Sequence, residues 1–279
     1  MLLAGFIDSG AALLQSLYPA EEARNIMLLL CCGRLGTQRY THIVEPSFEV
    51  PPSFADTLKS DMDRLVGGEP VQYVLGKTCF RGRDFKVDRR VLIPRPETEE
   101  LVELVLGKIR PGDRVLDLCT GSGCIAWSLA FESEASEIVG VDVSRDALDV
   151  AGSQYSDSRV HFVEGDILGL PADGRMGKFD VIVSNPPYIL NGEKPDMRTN
   201  VLDYEPGFAL FVPDEDPLRF YKAVAVWAAV LLNEGGFGAV EINERFGEET
   251  VDLFRTAGFI EVQAVEDIFG KNRFVSFRK

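Results

Sequence analysis

The chain has 279 residues, of which 46% are hydrophobic and 26% charged, a composition that is ordinary for a globular protein with room for two domains. No apolar run approaches the roughly 20 residues that a membrane span needs, and residues 1–6 have no basic start, so we expect a cytoplasmic protein without signal peptide or membrane contact. The formal net charge of −15 disfavours extensive nucleic-acid binding, because that affinity comes mainly from neutralising phosphates.

Residues 1–75 have the apolar spacing of helices and carry no group of catalytic residues. The last of these helical patterns lies between Ser53, a candidate N-cap, and Gly67, which follows its end. We predict a small all-helical domain that recognises a macromolecular substrate. The alternative is a domain that only stabilises the rest of the chain.

Residues 76–95 are predicted to form a hairpin linker, because Cys79 to Val87 alternate in character around Gly82. The segment also carries the densest set of basic residues in the chain, namely Arg81, Arg83, Lys86, Arg89, Arg90 and Arg95. Such a set is usually a solvated face, and it could instead complement an acidic partner or a few phosphates.

A stiff loop, Ile93-Pro94-Arg95-Pro96, precedes the next helical pattern. Its two prolines restrict the backbone, and Thr98 is a candidate cap for the helix that follows. The loop is either a plain linker between domains or a rigid segment that packs over a bound cofactor.

Strand and helix patterns alternate through residues 96–279. The stretches with strand character are residues 114–118, 138–142, 160–163, 180–184, 236–242, 260–265 and 273–278. This alternation predicts an α/β fold with a doubly wound, mostly parallel seven-stranded sheet, in which the last two strands add a hairpin at the edge.

Glycines and acids lie at or just beyond the ends of the first three of these strands, at the edge where open α/β sheets bind ligands. The turn Cys119-Thr120-Gly121-Ser122-Gly123 lets the backbone approach a ligand closely. Asp117 suits a cationic amino group, Asp142 the hydroxyls of a ribose, and Asp166 the exocyclic amine of an adenine. Single strand-end aspartates often cap helices, but three of them beside a glycine turn favour a positively charged adenosine cofactor.

The fourth strand runs into Asn185-Pro186-Pro187-Tyr188. The consecutive prolines end the strand and stiffen the loop. Asn185 Oδ1 and the Pro186 carbonyl can each accept a hydrogen bond from an NH2 group, while Tyr188 covers its face. The simpler alternative is a turn that only ends a strand. The loop therefore suits a planar group that carries N–H bonds.

Together the glycine turn, the acids and this loop resemble the S-adenosylmethionine-dependent methyltransferases that modify planar amide or amine nitrogens. Residues 92–99, Leu-Ile-Pro-Arg-Pro-Glu-Thr-Glu, resemble the HemK family, the protein-glutamine methyltransferases of peptide-chain release factors, as do the hairpin and the helical N-terminus. Tyr204-Glu205-Pro206 and Gly270-Lys271-Asn272-Arg273 extend the likeness almost end to end. The glycine turn is shared by many methyltransferases, whereas residues 92–99 discriminate most.

The resemblance implies that residues 96–279 are a methyltransferase domain, which uses S-adenosyl-L-methionine and leaves S-adenosyl-L-homocysteine as product. The methyl acceptor would be the side-chain amide nitrogen of the glutamine in the Gly-Gly-Gln motif of release factors. The implied cofactor residues are Asp117, Cys119, Thr120, Gly121, Ser122, Gly123, Asp142, Asp166, Ile167 and Asn185. The implied substrate residues are Asn185, Pro186, Pro187 and Tyr188, of which Asn185, Pro186 and Tyr188 are the catalytic ones.

Two positions depart from the family pattern. Cys119 stands where many relatives have glycine, and we expect it to adopt a negative φ without loss of cofactor binding. Ile167 stands where some relatives carry an aromatic residue, which weakens stacking on the adenine.

Three other functions remain open at this point. A nucleic-acid amino methyltransferase would use the same loop on a flipped base, and the net charge of −15 weighs against it. Methylation of a ribosomal-protein glutamine is disfavoured by residues 94–99, and an inactive cofactor-binding partner subunit by the intact Asn-Pro-Pro-Tyr loop. We expect a monomer, and no metal site, since the five cysteines and two histidines lack ligand spacing.

Overall fold

The computed structural model describes residues 1–171 and 176–279 and divides them into two units. The first unit comprises Met1–Lys77 and Arg198–Tyr204, and the second Thr78–Met197 and Glu205–Lys279. The helices are α1 (Leu3–Leu14), α2 (Ala20–Leu35), α3 (Thr41–Val44), α4 (Ala55–Val66), α5 (Val71–Leu75), α6 (Pro96–Leu106), α7 (Cys124–Glu132), α8 (Arg145–Gly152), α9 (Thr199–Tyr204), α10 (Arg219–Leu231) and α11 (Gly247–Thr256). The strands are β1 (Lys77–Phe80), β2 (Arg83–Lys86), β3 (Arg114–Leu118), β4 (Glu137–Asp142), β5 (Val160–Glu164), β6 (Phe179–Ser184), β7 (Ile189–Leu190), β8 (Phe211–Val212), β9 (Leu232–Glu241), β10 (Ile260–Glu266) and β11 (Asn272–Arg278).

The first unit is helical, as the apolar spacing predicted, and has an apolar core of its own. In α4 the buried residues Leu58, Met62 and Leu65 recur at helical spacing, so one face of the helix enters this core. The capping prediction for Ser53 is wrong, because Ser53 lies inside a 3₁₀ turn, Pro52–Phe54, that leads directly into α4.

Polar contacts hold the helices of this unit to one another. Arg34 donates to both carboxylate oxygens of buried Asp61, at 2.7 and 3.1 Å, and to the carbonyl of Val74 at 2.7 Å. These bonds join α2, α4 and α5. The separate segment Arg198–Tyr204 belongs to the same unit, where the Tyr204 hydroxyl donates to the Gly67 carbonyl at 2.8 Å. The helical unit is thus built from two stretches of chain.

The second unit contains a seven-stranded sheet in the order β10-β11-β9-β6-β3-β4-β5. Strands β9, β6, β3, β4 and β5 are parallel, and β11 is antiparallel to both β9 and β10. The predicted doubly wound, mostly parallel fold with a hairpin at the edge is confirmed. None of the helices in residues 1–171 and 176–279 is long and apolar enough to cross a membrane.

Apolar side chains cover both faces of this sheet, as a largely parallel sheet requires. Along β3, Val115 packs with residues of α6 and α7, whereas Leu116 packs with residues of α10 and α11. Successive side chains of a strand point to opposite faces, so each parallel strand feeds both cores. Helices packed on both faces hold the sheet in place, and they also hold in place the strand ends, which carry polar residues.

The β1–β2 hairpin turns at Arg81 and Gly82, with φ of 47° and 71°, as predicted. Two of its basic residues, Arg81 and Arg83, have acidic partners within this chain. Arg81 and Arg83 pair with Glu132 at 2.6 and 2.7 Å, and Arg81 also pairs with Glu103 at 2.9 Å. Arg81 and Arg83 therefore attach the hairpin to α6 and α7. They do not form a purely solvated face.

Candidate active site

The glycine turn and the Asn-Pro-Pro-Tyr loop leave the sheet side by side. Strand β3 lies between β4 and β6, and Leu118 pairs in register with Val141 on one side and Ser184 on the other. The Ser184 hydroxyl donates to the Leu118 carbonyl at 2.8 Å. Because parallel strands end at the same edge, residues 119–123 and residues 185–188 begin at neighbouring points of that edge.

The turn after β3 is held by bonds to β4. The amide of Thr120 donates to the Val141 carbonyl at 3.0 Å, and that of Gly121 to Asp142 Oδ2 at 2.9 Å. Gly121 has a φ of 54°, and a Cβ there would meet no atom within 4 Å, so it would project into open space. Gly123, with a φ of 77°, differs, because its Cβ would come within 3.1 Å of Phe162 and Trp127. Gly121 keeps room for a ligand, while Gly123 lets the turn pack closely.

The prediction of a negative φ at Cys119 is wrong. Cys119 has a φ of 61°, in the left-handed region that glycine tolerates best. This residue turns the chain out of β3 so that the next two amides reach Val141 and Asp142. Bonding to β4 imposes the conformation although the side chain disfavours it.

The backbone conformation at Cys119 predicts a stability difference between two small substitutions. Both Cys119→Gly and Cys119→Ala remove the thiol, and they differ only in a Cβ held at a φ of 61°. We expect the glycine variant to be the more stable by about 1 kcal/mol, because the left-handed region strains a Cβ. Urea unfolding followed by the fluorescence of Trp127 and Trp227, both in the second unit, measures the difference. An alanine variant at least as stable as the glycine variant would contradict the assigned conformation.

A cavity of about 300 Å³ opens at this edge of the sheet, within the size range of small-molecule sites. Most of the residues predicted to bind cofactor or substrate line it: Cys119, Thr120, Gly121, Ser122, Asp142, Asp166, Ile167, Asn185 and Pro187. Four predicted residues do not line it, namely Asp117, Gly123, Pro186 and Tyr188. Lining residues that the sequence did not single out include Val143, Leu168, Phe208 and Phe220.

The charges around this cavity suit a ligand that is a cation and carries hydroxyl groups. Asp142 accepts from the Gly121 and Ser144 amides, both at 2.9 Å, and each carboxylate oxygen keeps a further lone pair for a ligand. Burial raises the pKa of Asp142, so a positive or hydroxylic ligand would stabilise its charged form. The arginines of the lining already have acidic partners, Arg90 with Asp88 and Arg95 with Glu205. These residues fit an adenosine cofactor with a sulfonium group.

The proline-rich loop before α6 forms one wall of the cavity. The residues of this segment that line the cavity are Arg90, Val91, Leu92, Pro94 and Arg95, and Thr98 in the first turn of α6 lines it as well. Glu205, whose side chain is 1% exposed, accepts from the Ile93 amide at 3.1 Å and from Arg95 at 2.6 Å. The loop was predicted to be either a plain linker between domains or a rigid segment that packs over a bound cofactor. Its place in the cavity lining favours the second interpretation.

Asp117 lies behind the glycine turn, fully buried. The Thr120 hydroxyl donates to its Oδ2 at 2.6 Å. Burial, only partly opposed by this bond, raises the pKa of Asp117 to about 7. Asp117 therefore supports the turn from within the protein and is not among the residues that line the cavity.

Asp117 makes the stability of the protein depend on pH. Since its pKa is raised from 3.8 to about 7, the folded state holds a proton that the unfolded state releases across this interval. This contribution to stability is full below pH 4 and falls as pH rises to 7, by up to about 1.4 kcal/mol per pH unit. The Asp117→Asn variant lacks this titrating carboxyl group. The free energy of unfolding of the variant should therefore rise relative to that of the parent as pH rises. Urea unfolding at pH 5, 6 and 7 checks this, and a constant difference across the three pH values would refute it.

A chain of hydrogen bonds runs from the Asn-Pro-Pro-Tyr loop into the protein. Asn185 Nδ2 donates to Thr98 Oγ1 at 3.0 Å, and the Thr98 hydroxyl donates to Glu241 Oε2 at 2.7 Å. The Tyr188 hydroxyl donates to the other oxygen, Oε1, at 2.9 Å. The predicted helix cap at Thr98 is thus wrong, because Arg95 occupies the N-cap position and Thr98 is 3% exposed inside the first turn.

Glu241 was not anticipated from the sequence as a site residue. It ends β9, which pairs with β6 through Ser184 and Val240, and it is 1% exposed. Burial raises its pKa, while the Thr98 and Tyr188 hydroxyls and the charge of Arg273 oppose this rise. The sequence signal that could have identified Glu241 is its place as an acid at the end of β9, next to β6, the strand that leads into the Asn-Pro-Pro-Tyr loop.

Known proteins match this chain from near its start to its end. Residues 98–202 match the methyltransferase small domain, and residues 6–76 match the PrmC N-terminal domain. A release factor glutamine methyltransferase of Bacteroides thetaiotaomicron is 40% identical over 94% of this chain and 95% of its own length. A second one, of Flavobacterium psychrophilum, is 34% identical over 99% of this chain and 98% of its own. Among solved structures, a methyltransferase from Pyrococcus furiosus, 18% identical, has the same fold with a TM-score of 0.53 over 79% of this chain and 98% of its own.

Proposed function

Because this chain belongs to the release factor glutamine methyltransferases, we propose that it methylates the side-chain amide nitrogen of a glutamine in a peptide-chain release factor. The methyl donor is S-adenosyl-L-methionine. The observation that carries the proposal is that the glycine turn and Asn185 line the same cavity. A methyl group held over the turn would lie within reach of an amide held by the loop.

The cofactor would be held by the turn of residues 119–123 and by the two lining carboxylates. Asp142 accepts from ribose hydroxyls, since both its oxygens keep lone pairs directed away from the Gly121 and Ser144 amides. Asp166, whose Oδ1 is bonded to the Leu168 amide at 2.9 Å, accepts from the adenine amine. Ile167, which lines the cavity, would pack against the adenine ring. The bound cofactor supplies a methyl group on a positively charged sulfur.

The glutamine amide would be oriented by acceptors of the Asn-Pro-Pro-Tyr loop. An amide nitrogen is a weak nucleophile, because its lone pair is delocalised into the carbonyl. Asn185 Oδ1 and the carbonyl of Pro186, the residue between the two loop residues that line the cavity, would accept its two N–H bonds. These bonds would turn the nitrogen toward the methyl and stabilise the positive charge that develops on it. A strong base is unnecessary, since the alkylated amide cation is acidic enough to release its proton to water.

For Tyr188 we propose a different part in this arrangement from the one that the sequence suggested. Its ring is not among the residues that line the cavity, and its hydroxyl donates to Glu241. We propose that Tyr188 anchors the end of the loop, while Pro187, which does line the cavity, contacts the glutamine side chain.

The substrate is proposed to be a protein, and the helical first unit to contribute to its recognition. The net charge of −15 supports this choice over a nucleic acid, whose phosphates would be repelled. The glutamine of a Gly-Gly-Gln motif is the proposed target, and the enzyme is proposed to act as a monomer.

Methyl transfer from radiolabelled cofactor, measured in parallel on three acceptors, tests the substrate class. The acceptors are a purified release factor, a ribosomal protein mixture and ribosomal RNA. Label in the release factor alone is the expected result. Label mainly in RNA or in the ribosomal proteins would overturn the proposed substrate, and label in none of them would overturn the proposed activity.

A further inference from the structure

The side-chain amide of Asn185 has a defined direction, which is set by another residue of the cavity lining, Thr98. Its Nδ2 atom donates to the Thr98 hydroxyl at 3.0 Å. Among the described residues, none donates to its Oδ1 atom, and Asn185 itself lines the cavity. The oxygen is therefore the part of this amide that is available to a ligand.

The direction of the Asn185 amide follows from the protons that Asn185, Thr98 and Glu241 have available for hydrogen bonds. A hydroxyl has one proton to give, and the Thr98 proton goes to Glu241 Oε2 at 2.7 Å. Thr98 Oγ1 can then only accept from Asn185, so the nitrogen of the amide must face it. The second oxygen of Glu241 is occupied by the Tyr188 hydroxyl at 2.9 Å, so both carboxylate oxygens act as acceptors.

We infer that Thr98 and Glu241 are positioning residues for methyl transfer, which hold Asn185 with its oxygen toward the amide of the target glutamine. With the amide of Asn185 reversed, its NH2 would face the NH2 of the target, two donors would oppose each other, and the target would lose its acceptor. This inference rests on the proposed function and extends it to residues that need not touch the glutamine.

The same carboxylate holds both ends of the loop. Glu241 reaches Asn185 through Thr98 and Tyr188 directly, and the prolines between them restrict the backbone. Thr98 is 3% and Glu241 1% exposed, so these bonds are shielded from water. The acceptor at Asn185 is thus set in place before a substrate arrives, as electrostatic stabilisation of a transition state requires.

Thr98→Val removes the hydroxyl at nearly constant volume and tests the inference. Because the Asn185 nitrogen then loses the acceptor that sets its direction, we expect kcat to fall about 10- to 100-fold while the Kd of the cofactor stays within about 3-fold. Thr98→Ser restores the hydroxyl and should recover most of the rate. Thr250→Val is the matched control, because Thr250 is also buried, its hydroxyl donates to the Phe246 carbonyl, and neither of these two residues lines the cavity.

A double variant separates positioning from a general effect on folding. If Thr98 acts only through Asn185, adding Thr98→Val to Asn185→Ala should lower kcat no further. A further loss equal to that of Thr98→Val alone would refute the inference. So would a Thr98→Val enzyme as active as the Thr250→Val control.

The orientation of the Asn185 amide can also be tested by a measurement that does not depend on methyl transfer. The side-chain amide resonances of Asn185, identified by their absence in Asn185→Ala, should shift in Thr98→Val and return in Thr98→Ser. Resonances unchanged by Thr98→Val would overturn the inference. Should the wild-type enzyme leave release factor unmethylated while these resonances still depend on the Thr98 hydroxyl, the proposed function would fail and the orientation of Asn185 would stand.

Discussion

Asn185→Ala is expected to lower kcat about 100- to 1,000-fold, because it removes the acceptor that orients the attacking nitrogen. Losing one preorganised partner of a transition state costs about 2.7–4 kcal/mol. The Kd of the cofactor should change much less, since the turn of residues 119–123 and Asp142 remain. Steady-state methylation of release factor gives kcat, and calorimetry gives the Kd of the cofactor.

A matched asparagine is available as a control for this variant. Asn233 donates its side-chain amide to Asp180 at 2.7 Å, near the amino-terminal ends of β9 and β6 and therefore at the edge of the sheet away from the cavity. Asn233→Ala should retain kcat even if it loses stability. Equal losses of kcat and cofactor affinity in Asn185→Ala would make Asn185 only a cofactor ligand.

Asp142→Ala is expected to have the opposite signature, with a cofactor Kd raised about 100-fold and a smaller change in kcat at saturation. Charge-assisted hydrogen bonds are worth about 1.5–3 kcal/mol, and the carboxylate also holds the Gly121 amide at 2.9 Å. The variant thus loses ribose contacts and the anchor of the turn together. Calorimetry with cofactor and with its demethylated product measures both affinities.

Asp142→Asn keeps one acceptor oxygen, so its Kd for the cofactor should lie between that of the parent and that of Asp142→Ala. An unchanged Kd in Asp142→Ala would contradict the assignment of this carboxylate to the cofactor. The two substitutions thus have opposite effects, since Asn185→Ala lowers mainly kcat and Asp142→Ala raises mainly the Kd of the cofactor.

Local patterns were sufficient to predict most of the parallel part of the sheet. Strand β3 is found at the residues predicted, because an apolar run before a glycine turn is a signal contained in a few neighbouring residues. The start of β9 was missed, since Leu232 pairs with Phe179 ahead of an irregularity in the β6–β9 ladder, and glycines interrupt the apolar pattern there. The order of strands in a sheet follows general topological rules, which is why neighbouring positions of the turn and the loop could be expected.

Features that depend on distant residues were not predictable in this way. Thr98 and Glu241 are 143 positions apart, and nothing local to either one indicates that they form a hydrogen bond. Thr98 looked like a helix cap because threonine is common there, whereas burial beside Glu241 determined its actual partner. Cys119 adopts a positive φ because bonds to β4 outweigh the preference of its side chain. Likewise, the place of Arg198–Tyr204 in the helical unit follows from contacts with residues far away in the chain.

Tandem mass spectrometry of a release factor incubated with cofactor and this enzyme is the most direct test of the central claim. The methyl group is predicted on the side-chain nitrogen of the Gly-Gly-Gln glutamine, in near-stoichiometric amount with the wild-type enzyme and in trace amount with Asn185→Ala. A methyl group on another residue, or equal methylation by the two enzymes, would contradict the proposal that this cavity presents a glutamine amide to the cofactor.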